Sequence, residues 1–399
     1  KIVDFLAGKD VAKISALLYL FLPLSLFFSR AVHIDFTALC FVHGTIYWFL
    51  VGYRRESYPY LLLATAMATV AMLVKVPYLF YFTLPVLFFI CKEKKFKYFL
   101  KHSYLFLLPV GCFALWQSHV YHMNSLAPDW EFIPGYRKFN DNSDWYYGSV
   151  AQRLDAENWW LIWTRIRTEV LGGFGLVIGL IGLVVVLVKR KWIWLLWLLG
   201  TFIYVLVFFN LNRVHNYYQI PFVSIGAILM AYGILAIAKW FRNLKFIIPV
   251  LMVLIVAGES IYYAEEHYYI VQDEQIEIGR VIKAHTGEDD LVMINYVNMD
   301  SKCPNFLYRA RRNGWQLMDY GLHASIPYQL MKEGGSWFAT IRTSEIQGEM
   351  NQFLKVFPKV ELPLKSSNKT LFLYDLDPHI MWDILPQIER DEFSKLEKG

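Results

Sequence analysis

The residues with the most chemical potential sit in three short polar turns. The first is Ser29-Arg30-Ala31-Val32-His33-Ile34-Asp35, pinched between apolar runs at 11–28 and 36–52. It carries a guanidinium, an imidazole and a carboxylate in close succession. The second turn holds Lys75 just before Pro77, and the third is Asn212-Arg213-Val214-His215-Asn216-Tyr217-Tyr218-Gln219-Ile220-Pro221. Arginine grips phosphate through a bidentate fork and lysine as a point charge. Tyr217 and Tyr218 each have an apolar body and a polar tip, which suits stacking on a sugar or donating to it. Asp35 is the one carboxylate in the set. It could accept a proton from an attacking hydroxyl, help hold a divalent metal ion, or hydrogen-bond a sugar. Plainer uses stand beside these. Arg30 and Arg213 can snorkel to lipid headgroups, Asp35 can cap the helix beginning at Phe36, and His33 and His215 can be satisfied polar groups.

The elements that must position these residues are read from hydropathy. The chain has 399 residues, 56% of them hydrophobic and 18% aromatic, with a mean hydropathy of +0.33. A soluble protein is about 45–50% apolar, and here the excess falls in blocks. Crossing a bilayer takes about 20 apolar residues. Nine spans are predicted, at 11–28, 36–52, 58–74, 77–91, 103–121, 169–188, 192–209, 219–238 and 246–262. Pro77 and Pro85 should bend the fourth. One set of connections holds sixteen lysines and arginines, among them Arg54, Lys92 and Lys189-Arg190-Lys191, whereas the alternate turns hold only Arg30, Lys75 and Arg213. The positive-inside rule then places the first set in the cytoplasm and the three polar turns outside. Segment 123–168 falls outside as well. Its stretch 151–167 runs polar, then aromatic, then basic, as expected of a helix lying on the outer surface.

After about residue 268 the texture changes. Strands are predicted at 291–294, 336–341 and 370–375, and helices at 271–285, 304–312, 324–332 and 344–357. The expected fold is mainly α: a polytopic transmembrane helical bundle over 1–268, then a small extracytoplasmic α/β domain over 269–399. The four cysteines suggest neither a disulfide framework nor a zinc site. No Gly-rich phosphate fingerprint is present, and no nucleic-acid partner is expected.

A lipid-linked phosphate is the anion that suits outward cations at a membrane edge, because its tail can stay in the bilayer. Three functions fit: an enzyme acting on such a lipid, a transporter or flippase of a lipid-linked anion, and a non-catalytic scaffold with an outer partner-binding domain. A transporter more often shows paired half-repeats and broken midplane helices. Neither feature is evident, so the enzyme reading leads.

With those residues in hand, the chain resembles the GT-C superfamily of integral-membrane glycosyltransferases. The closest likeness is the branch of protein O-mannosyltransferases and bacterial aminoarabinose transferases of lipid A (glycosyltransferase family 39-like). Pro23 followed by Ser29-Arg30 and Asp35, then Lys75-Val76-Pro77, then the turn from Arg213 to Pro221 carry the likeness, with Leu307-Tyr308-Arg309 through Arg312-Asn313-Gly314-Trp315 as a looser match. The resemblance implies a polyprenyl-phosphate-linked sugar donor, an inverting transfer to an acceptor lipid, glycan or protein, and a site on the outer side of a bacterial inner membrane. Asp35 would be the catalytic residue of this stretch, matching the family's second acidic residue, as base, metal ligand or sugar ligand. Arg30, His33, Lys75, Arg213, His215, Tyr217 and Tyr218 would bind substrate. It further implies an outer loop with its own acidic residue upstream of Lys1.

Overall fold

A helical hairpin frames the site. The Asp35–Arg55 helix and the Tyr58–Lys75 helix pack antiparallel along their length. Between them Glu56 takes a left-handed conformation (φ 49°), and the Glu56 and Ser57 amides return to Tyr53 and Gly52. Asp35 and Lys75 lie twenty residues either side of Arg55. At 1.5 Å per residue both therefore sit about 30 Å from the turn, at the same height.

The computed structural model describes residues 1–128, 130, 132–133, 136, 143–296, 304–318, 322–341 and 349–377. They divide into two units, Lys1–Ser125 with Asn140–Ile270, and Leu126–Phe139 with Val271–Gly399. In the first unit, five described helices are long and apolar enough to cross a membrane: Asp35–Arg55, Tyr58–Leu79, Phe96–Leu126, Asn216–Trp240 and Ile247–His267. A sixth arises if the bent pair Ala156–Leu171 and Gly173–Val188 counts as one span. Three of the predicted spans are shorter or broken. Pro23 divides the first into Lys9–Phe21 and Pro23–Phe28, and the fourth is the 3-10 turn Val76–Leu79 followed by Thr83–Glu93. The seventh is the short helix Trp192–Val207. A proline lacks the N–H that would continue the ladder, which accounts for the first two interruptions.

Part of the 151–167 stretch is helical. Ala156–Arg165 runs into a π-helical turn, Ile166–Leu171, and the chain then bends by 96° into Gly173–Val188. Gly172 makes the corner with a positive φ of 73°. Glu259, from the Ile247–His267 helix, caps the new helix by accepting from the Gly173 and Phe174 amides at 2.6 and 3.1 Å. Gly173–Val188 packs closely on Ile220–Trp240, the most buried helix of the unit. A Cβ at Gly182 would lie 1.7 Å from the Leu229 carbonyl oxygen, so only glycine permits this approach.

The second unit holds a five-stranded sheet. Strands β1 (Leu291–Asn295), β2 (Asn313–Leu317), β3 (Gly335–Thr340), β4 (Lys359–Pro363) and β5 (Thr370–Asp375) lie in the order β2-β1-β3-β5-β4. The first three are parallel, and β5 pairs antiparallel with both β3 and β4. Side chains alternate across the sheet. Val292 and Ile294 meet Ile278, Ile282 and Phe306 on one face, while Met293 and Phe338 meet Leu330 and Phe353 on the other. The strands predicted at 291–294, 336–341 and 370–375 are present, and β2 and β4 are additional. Arg312, in the stretch singled out for family likeness, has a structural use. Its guanidinium is nearly buried and donates to the Lys283 and Thr286 carbonyls at the end of the Asp273–His285 helix.

Candidate active site at the open end of the hairpin

Asp35 is the first residue of its helix and is fully buried. It does not cap: the N-cap position is Ile34, and no side chain serves as cap. Instead, one carboxylate oxygen, Oδ1, accepts from Lys75 Nζ at 2.5 Å and from the Tyr78 hydroxyl. The other, Oδ2, lies against His33 Nδ1, a contact that becomes an ion pair only when the imidazole is protonated. The helix N-terminus adds a partial positive charge that favours the carboxylate. Taking a charge out of water is tolerable only with partners of this kind.

An aromatic wall closes the cluster. Lys75 Nζ sits 3.9 Å from the centroid of the Tyr218 ring and 5.1 Å from that of Tyr217, within cation–π range. Tyr217 packs against His33 at 4.4 Å and stacks on His215 at 4.8 Å. The Tyr78 hydroxyl also lies 3.1 Å from the Tyr217 carbonyl, which ties the third turn to the hairpin. Five of the expected site residues therefore converge around Asp35: His33, Lys75, His215, Tyr217 and Tyr218. Tyr78 is an addition, and its signal was its place three residues after Lys75, on the same side of a helical turn.

The two expected arginines are placed differently. Arg30 is exposed on its turn and makes no ion pair among the described residues. Arg213 donates from Nε to Asn210 at 3.2 Å. Arg165, at the basic end of the 151–167 stretch, donates to the Asn212 and Arg213 carbonyls. A neighbouring network also escaped the sequence reading: Glu169, in the π-helical turn, accepts from Asn216 at 2.5 Å and Tyr268 at 2.6 Å. Asn216 directly precedes Tyr217, so Glu169 helps to fix the aromatic wall. Among the described residues, no group of three or more His, Cys, Asp or Glu side chains could hold a metal ion.

Residues 1–122 match the family model of dolichyl-phosphate-mannose-protein mannosyltransferases. The chain is GT-C glycosyltransferase-like. The matched stretch contains Arg30, His33, Asp35, Lys75 and Tyr78, so the whole hairpin half of the cluster lies inside it. The third turn, with Arg213 to Tyr218, lies outside. No curated protein and no solved structure matches the chain. The buried pair at the open end of the hairpin thus falls in the part of this helical bundle that is similar to that mannosyltransferase family.

Proposed function

We propose that this membrane glycosyltransferase moves a sugar from a polyprenyl-phosphate donor to an acceptor hydroxyl on a lipid, glycan or protein at the outer face of the membrane. The observation that carries the reading is the buried Asp35–Lys75 pair within the family-matched stretch. The dolichyl-phosphate-mannose of that family's description is itself a polyprenyl-phosphate sugar.

In the transfer, the acceptor oxygen attacks the anomeric carbon. The bond from that carbon to the phosphate oxygen breaks, and its electron pair leaves with the phosphate. Charge therefore grows on the phosphate, where a fixed cation is worth most. Lys75 supplies one such cation and exposed Arg30 a second, with Arg213 at the margin of the third turn. Both members of the pair are buried, Lys75 keeping 8% of its side chain exposed against none for Asp35, so we assign Lys75 to the phosphate and Asp35 to holding Lys75 and His33 in place. A neutral His33 carrying its proton on Nδ1, beside Asp35, would leave Nε2 to take the proton of the acceptor hydroxyl. His33 keeps 27% of its side chain exposed, against none for Asp35, which favours it as the group that touches substrate. Tyr217, Tyr218 and His215 supply flat faces for the sugar.

The lipid tail has a suitable berth in the same unit. A cavity of about 310 Å³ lies under the Ala156–Arg165 helix, lined by apolar side chains including Trp159, Ile162, Trp163, Phe202 and Phe222. The reading is tested with membranes containing the full chain and a panel of radiolabelled polyprenyl-phosphate sugars. His33→Gln should lower label transfer by about 10²-fold or more, the usual worth of a general base, while donor binding persists. Transfer at the normal rate by His33→Gln would sink the base assignment.

A further inference from the structure

The opposite end of the hairpin carries a second cavity, of about 590 Å³. Arg54, at the end of the helix that begins with Asp35, lies about 30 Å from that residue along the helix axis. Five cations line the cavity, Arg54, Lys92, Lys189, Arg190 and Lys191, and none of its twelve lining residues is acidic. Arg54 is anchored, with Nη2 3.0 Å from Glu93 and its guanidinium over the Phe5 ring at 4.1 Å. The other four make no ion pair among the described residues. Their charge is uncompensated.

Two further features bear on what fits there. The Trp192–Val207 helix starts in the cavity, and its N-terminal amides add partial positive charge. Half of the lining is apolar, including Phe88 and Trp192, and Trp192 is 54% exposed. A free, fully hydrated anion gains nothing from such a wall. A phosphate carried on acyl chains gains from both parts, because basic pockets between membrane helices hold anionic headgroups.

We propose that this cavity binds the phosphate headgroup of an anionic phospholipid, one per chain, at the lysine- and arginine-rich end of the bundle. The site is separate from the Asp35 cluster and does not depend on the transfer reading. Full-length protein in phosphatidylcholine nanodiscs doped with phosphatidylglycerol is released into native mass spectrometry, and retained lipids are counted. One phosphatidylglycerol per chain should survive, in preference to phosphatidylcholine. The variant Lys189→Gln/Arg190→Asn/Lys191→Gln should lower that retention at least about tenfold, since each basic residue near an anionic surface contributes several-fold. Asparagine is chosen at 190 because that position has a φ of 50°, which asparagine tolerates. A control with the same charge loss, Lys94→Asn/Lys97→Gln/Lys101→Gln, should stay within about twofold of the parent, because these residues lie outside the cavity. Equal loss in both triple variants would overturn the site in favour of diffuse surface charge. Displacement of the lipid by inorganic phosphate would overturn the lipid assignment and leave a free-anion site.

Discussion

Replacing Lys75 by methionine keeps the length and apolar stem of the side chain but removes the ammonium. Asp35 would then be a fully buried carboxylate left with Tyr78 and the partly exposed His33. Breaking a buried pair by deleting one partner typically costs about 3–5 kcal/mol, because the remaining charge has no adequate counterion. The value here should fall near the lower end, about 3 kcal/mol, since two polar partners remain. Asp35→Asn alone should cost less, because an amide oxygen can still accept from Lys75 and Tyr78. The combination should recover much of the loss, with a coupling of about 2 kcal/mol between the sites. The assay is reversible unfolding of the purified chain in mixed micelles as the mole fraction of dodecyl sulfate rises. Additivity of the two single changes to within about 0.5 kcal/mol would refute a direct buried pair.

Three further outcomes follow from other parts of the molecule. Gly314 has a φ of 139°, and a Cβ there would lie 2.0 Å from the Val292 carbonyl oxygen, so Gly314→Ala should unzip β2 from β1 and open that edge to protease. Gly182→Val should separate Gly173–Val188 from Ile220–Trp240, seen as a lost disulfide cross-link between cysteines placed across that contact, while Val185→Ala should leave it intact. In the second unit, the Ser366 hydroxyl and the Lys365 and Ser366 amides hold the Glu277 carboxyl below the usual range. Its contribution should therefore be complete above the unfolded value near 4.3 and fade as pH falls through the lower folded value, with faster amide exchange at 365–366, and Glu277→Gln should remove that pH dependence.

Much of the fold was legible because its signals are periodic or compositional. The apolar blocks mark the long helices, and the strands at 291–295, 335–340 and 370–375 announce themselves by β-branched and aromatic runs. Strands β2 and β4 are Asn313-Gly-Trp-Gln-Leu317 and Lys359-Val-Glu-Leu-Pro363, whose polar, glycine and proline content hides them; they occupy the two edges of the sheet, where such residues are tolerated. The interrupted spans follow from prolines visible in the sequence, but how far each interruption shortens a helix depends on packing. At the site, Asp35 and Lys75 could have been paired from arithmetic alone, because both stand equally far from Arg55 in a hairpin. Arg30 and Arg213 could not be separated from Lys75 by type or side, since only tertiary placement leaves one exposed and ties the other to Asn210. Glu169 gave no local signal, because its partners Asn216 and Tyr268 are 47 and 99 residues away.

The most direct measurement is transfer of labelled sugar from polyprenyl phosphate by membranes containing the full chain with Asp35→Asn or Lys75→Met, each checked for folded protein at parental levels. Both variants should lose transfer by about 10²-fold or more, because the phosphate cation and the orienting carboxylate fail together. Transfer at the parental rate by a folded Asp35→Asn and a folded Lys75→Met would contradict both roles.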